Sequence, residues 1–232
     1  MTRRITALNN TGIQNLHQGF FAEAVRSFRM AVACLTDNNN NNNNNNATNA
    51  STTTRDDTNK KLLPVSRQHL ECIHASTILE SSPYNSFEVC QATLIFPRMD
   101  SLANFRAEVS IVLAWNLGLT YHFWGLAQSE GSQRNLQQAL ELYKFVMATL
   151  ESAQELALKN GIWALALGLL ANMGHIFTHF WCIAQAKACI ERMEQVLNST
   201  SAVWELCPED EEFFVSVVAF ASAQHFTTAP AA

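Results

Sequence analysis

Between Lys159 and Lys187 the chain runs for 27 residues without an Asp, Glu, Lys or Arg, and between Glu108 and Glu130 for another 21. Nothing else in the sequence restricts the fold so tightly. Either run could cross a bilayer, which takes ~20 apolar residues, or could form a helix enclosed by protein on all sides. Both carry polar groups that lipid accommodates poorly: Asn172, His175, Thr178 and His179 in the longer, Asn116, Thr120, His122 and Gln128 in the shorter. Burial in protein is therefore expected, with a membrane-associated helical protein as the alternative. Apolar residues make up 48% of the 232, while prolines number five and glycines eight. That is too few turn formers for a sheet-rich chain, and long helices follow.

The two runs share a further feature. Each contains an Asn-x-Gly triplet, Asn116-Leu117-Gly118 and Asn172-Met173-Gly174, and a third lies at Asn10-Thr11-Gly12. After Gly12 come Gly19, Phe21, Ala24, Phe28 and Ala31; after Gly174, at the same spacings, come Trp181, Ile183, Ala186, Ile190 and Met193. In the middle copy the pattern resumes at Ala139, Tyr143 and Val146, nine residues late, with the surplus in "AQSEGSQRN". The pattern resembles the tetratricopeptide repeat, a helix–turn–helix unit with small residues where its two helices touch. That resemblance implies an all-α stack of about seven helices, in which each unit buries the apolar face of its neighbour. It also implies that Gly12, Gly118 and Gly174 on the first helix of each unit, and Ala24, Ala139 and Ala186 on the second, are packing positions. Phe28, Tyr121, Tyr143 and Phe177 would fill the layers between. The glycines are 106 and 56 residues apart, where tandem copies would be about 34 apart, so insertions must separate the units.

Residues 1–36 are expected to form the first helix pair, 4–18 and 21–36. Residues 37–61 hold nine consecutive asparagines (38–46) and little to bury, so they read as a disordered loop, and such a tract suggests a eukaryotic source. Residues 62–100 read as a connecting insertion, with a helix at 66–80. Within it "SFEVCQATLIFP" mixes β-branched and aromatic residues before Pro97, which suits a short extended segment of one or two strands. Residues 101–200 hold two further helix pairs, at 103–127 with 133–158 and at 162–180 with 183–198. A last helix in 208–226 opens on Pro208, followed by four acidic residues that face the positive end of its dipole. It would cap the third unit, or else fill the groove.

The resemblance further implies a concave groove that takes a peptide, lined by Ile13, Leu16 and His17, by Trp115, Leu119, His122 and Phe123, and by Ala171, His175 and His179. Asn9 and Gly168 belong to the same faces. No Lys or Arg stands at these positions, so a chaperone-tail carboxylate is a poor fit, and an apolar segment from a partner or from the chain itself is a better one. The chain is thus expected to be a protein-interaction scaffold with no catalytic residues and no cofactor. His175 and His179 sit one helical turn apart, with His122 as a conceivable third ligand, but no glutamate of a zinc protease accompanies them. No metal is expected, and hydrogen-bonded histidines are the ordinary reading. No phosphate loop or nucleophile elbow is present. A net charge of −5 argues against nucleic acid. Six cysteines without a C-x-x-C pair, and a start without a signal-peptide core, suit reduced thiols in the cytoplasm.

Overall fold

The computed structural model describes residues 2–45, 87, 89–94, 105–127, 130–152, 162–199, 206 and 208–225. Among them are seven helices and no strand: α1 (Thr2–His17), α2 (Phe21–Asn45), α3 (Phe105–Ala127), α4 (Ser132–Ser152), α5 (Ile162–His179), α6 (Ile183–Leu197) and α7 (Pro208–His225). Each helix packs against the next in sequence, so three antiparallel pairs, α1/α2, α3/α4 and α5/α6, follow one another and α7 closes the last.

The uncharged runs become the innermost helices. Every residue from 113 to 122 of α3 is buried, a helix enclosed all round, and α5 is buried over 167–172 and again over 174–176. A membrane is not needed to account for them, and no described helix is long and apolar enough to cross one. The second helices are instead amphipathic. On α4 the buried stripe is Leu136, Ala139, Leu140, Tyr143, Val146 and Leu150; on α6 it is Ala186, Cys189, Ile190, Met193 and Val196. Both follow the spacing of three and four residues that a single helical face requires.

The turn of the first pair uses Gly19 at φ 76, where an L-residue would be strained. The corresponding turn of the third pair places Trp181 at φ 57, with 78% of its surface exposed. Helix α7 buries Phe214, Val217 and Ala221 among Leu167, Leu170, Ala186 and Cys189 of the last pair. Phe220 of the same helix is half exposed.

Two boundaries differ from expectation. Helix α2 continues past 36 to Asn45, because extending an existing helix adds a hydrogen bond per residue without a new nucleus. The rest of the loop expected at 37–61, the helix expected at 66–80 and the turn at 160–161 lie outside the described residues. Among the described residues, 87 and 89–94 carry no β-ladder. Their backbone is paired in another way.

Candidate functional site

Residues 89–94 cross the first helices of the pairs, held by main-chain hydrogen bonds to side chains. The carboxamide of Asn172 on α5 accepts from the Cys90 N–H (2.7 Å) and donates to the Cys90 carbonyl (3.1 Å). The carboxamide of Asn116 on α3 treats Leu94 in the same manner, at 2.9 and 2.8 Å. Between them the Trp115 indole N–H donates to the Ala92 carbonyl at 2.7 Å. On α1, Asn9 donates to the Leu94 carbonyl (3.2 Å) and accepts from the Asn116 amide (3.0 Å). The N–H and C=O of one residue point the same way only when that residue is extended, so each two-point pairing requires an extended chain. Four extended residues span about 13 Å, comparable with the roughly 10 Å between packed helices. Residues 90 and 94 are therefore spaced for consecutive pairs. The segment runs from the third pair towards the first.

Its side chains enter specific places. In the first pair a Cβ added to Gly12 would lie 2.6 Å from the Phe28 ring of α2, and in the second a Cβ on Gly118 would lie 2.9 Å from the Tyr143 ring of α4. In the third pair α6 offers Ile190 at the corresponding position, and the ring that fills the space over Gly174 is that of Phe87. Phe87 is almost fully buried, beside Leu170, Ala171, Ala186 and Ile190. Gly174 thus accommodates the inserted segment, where a close approach of α6 was expected. Gly168 forms the floor under Cys90: a Cβ there would be 3.0 Å from both the Cys90 sulfur and the edge of Trp115. Leu94 and Ala92 are buried, and Thr93 is buried with its hydroxyl lacking a hydrogen-bond partner among the described residues.

Behind the groove lies a second polar network. Asn172 also donates to the Tyr143 hydroxyl (3.3 Å), which is 3.4 Å from Nδ1 of His122; Nε2 of His122 is 3.0 Å from Nδ1 of His175. Between two facing ring nitrogens one donates and the other accepts, so the accepting imidazole must be neutral. Burial, followed by the charges of His175 and His179, holds His122 well below the ordinary histidine range. Burial, then His179, brings His175 down to about 3. Burial likewise raises the Tyr143 phenol. Among the described residues no three His, Cys, Asp or Glu side chains converge as a metal site.

Of the groove positions read from sequence, Trp115, Asn9 and Gly168 meet the segment. Ile13, Leu16 and Leu119 are buried in the same apolar cluster as Leu94, and Phe123 is partly buried against it. Ala171 lies beside Phe87 in the second cluster. His17 is partly buried, its pKa lowered by burial, with Nε2 unpartnered among the described residues. His122 and His175 belong to the interior network and His179 is exposed. The strip of Trp115, Leu119 and Phe123, expected to be covered by a partner or by the chain itself, has Trp115 and Leu119 buried and Phe123 partly buried within the chain. Ala24, Ala139 and Ala186 have no exposed surface. Sequence reasoning missed Asn116 and Asn172 as groove residues, although both head the repeated triplets. In the first copy the working asparagine is Asn9, and Asn10 points to solvent. No family model, curated protein or solved structure matches this chain.

Proposed function

We propose that this chain is a tetratricopeptide-like interaction scaffold whose groove reads an extended peptide through its main chain. One observation carries the reading: Asn116 and Asn172 on successive helix pairs each satisfy both backbone groups of a single extended residue. A buried carboxamide in an apolar wall is costly unless its donors and acceptors are met. An extended chain meets them whatever its side chains. The resident 87–94 segment shows which backbone geometry the groove accepts.

The test is binding in trans. The full chain with residues 87–94 replaced by Gly and Ser should bind a labelled peptide of residues 85–96 saturably, measured by fluorescence anisotropy. The same receptor carrying Asn116→Ala and Asn172→Ala should not. A folded receptor that fails to bind the peptide refutes the scaffold reading and makes 87–94 an ordinary part of the core.

A further inference from the structure

We infer that the groove's partner is an extended segment bearing an aromatic residue, a small residue three positions later, a second small residue at five and a leucine at seven, and that it enters by displacing residues 87–94. The inference rests on the scaffold reading and adds selectivity and exchange to it. The aromatic is required because α6 contributes Ile190 where the other pairs contribute Phe28 and Tyr143, so the space over Gly174 must be filled from outside the pair. The residue at position three must be small because Cys90 is confined between Gly168 and Trp115. The residue at five is small like Ala92, whose carbonyl takes the Trp115 N–H, and the leucine joins the buried cluster of the first two pairs. The groove is not charged at any hydrogen-bonding contact.

The resident segment is also an imperfect occupant. Thr93 is buried with an unpaired hydroxyl among the described residues, a penalty that valine in its place would not incur. A free segment with an apolar residue there therefore binds the same groove more tightly, residue for residue. What favours the resident copy is its covalent connection, which acts as an effective concentration in the millimolar range. An incoming peptide must exceed that advantage, so displacement depends on partner concentration.

The experiment uses the full wild-type chain and the full chain carrying Phe87→Ser, with labelled peptides of residues 85–96. The Thr93→Val peptide should bind the Phe87→Ser chain roughly fivefold or more tightly than the unaltered peptide, and at least tenfold more tightly than it binds wild type. Peptides with Phe87→Ser, or with the sequence reversed, should lose at least tenfold. In wild type, saturating Thr93→Val peptide should accelerate hydrogen exchange at the Cys90 and Leu94 amides. This arm stands even if the Phe87→Ser chain does not fold. Equal binding of the forward, reversed and Phe87→Ser peptides overturns the recognition pattern while leaving a main-chain groove intact. Bound peptide with the Cys90 and Leu94 amides still protected in wild type overturns displacement. Failure of every peptide to bind a folded receptor overturns the scaffold reading itself.

Discussion

Asn116→Ala tests whether the asparagines act as a main-chain clamp. Asn116 is fully buried, and its removal leaves the Leu94 N–H without its acceptor and the Asn9 carboxamide oxygen without its donor. The Leu94 carbonyl keeps Asn9. Two buried orphans at about 1–3 kcal/mol each give a loss of about 2–6 kcal/mol, a large share of the roughly 5–15 kcal/mol by which a domain is stable. Asn172→Ala strips both backbone groups of Cys90, but Cys90 is only partly buried and water can reach it, so about 1–3 kcal/mol is expected. Asn10→Ala, on the exposed side of α1, should stay within about 0.5 kcal/mol of wild type. Urea titrations followed by far-ultraviolet circular dichroism, compared at a common slope, rank the three. Loss in Asn116→Ala no greater than in Asn10→Ala would refute the clamp.

Trp181 is exposed and left-handed, so Trp181→Gly relieves strain of roughly 1–2 kcal/mol against a chain-entropy penalty of about 0.4–1; the melting temperature should rise by a few degrees, and a fall would mean that the ring has a packing role. Gly174→Ala drives a methyl into the Phe87 ring and should cost about 1–3 kcal/mol alone, yet almost nothing in a Phe87→Ala background, a coupling that a double-mutant cycle detects. Burial, first, depresses His122 and His175, so the unfolded chain takes up their protons earlier as pH falls. Stability is complete above the ordinary value of 6.5 and declines below it, for His175 until about 3, by up to about 1.4 kcal/mol per pH unit for each histidine. Urea midpoints at pH 7.5 and 5.0 should differ in wild type and converge in a His122→Gln, His175→Gln variant.

The helices were legible because their cause is local. A run without charge but with several polar groups favours an enclosed helix over a membrane span, and α3 and α5 are the most buried of the described helices. The extended segment was legible too, from its β-branched and aromatic residues before Pro97. Its partner was not, since a carboxamide that reaches a backbone 82 residues away leaves no spacing to read. In α1 the helical spacing already puts Asn9 on the groove face, and only the Asn-x-Gly match points one residue off. Ile5, Asn9, Gly12 and Leu16 lie at intervals of four, three and four, one buried stripe of α1, whereas matching Asn-x-Gly as text selects the exposed neighbour. The shortfall of ring volume at Ile190, beside Phe28 and Tyr143, was likewise present in the aligned copies and signalled that something else must fill the third pair.

Affinity and selectivity are therefore assigned to different residues, and Ile190→Phe separates them. The asparagines bind backbone and cannot distinguish one side chain from another, so their loss should weaken every extended ligand alike. Discrimination rests on the space over Gly174, sixteen residues before Ile190, just as Gly12 stands sixteen before Phe28. In wild type that space already holds Phe87, and a second ring should overpack it by about 1–3 kcal/mol. In a Phe87→Ala chain, which alone should lose about 3–5 kcal/mol, the new ring from α6 restores the arrangement of the other two pairs. Most of that loss should be recovered, while aromatic-bearing peptides no longer bind. Urea midpoints of the four combinations and anisotropy with the 85–96 peptide measure both effects. If Ile190→Phe is as damaging without Phe87 as with it, the two side chains do not compete for one space.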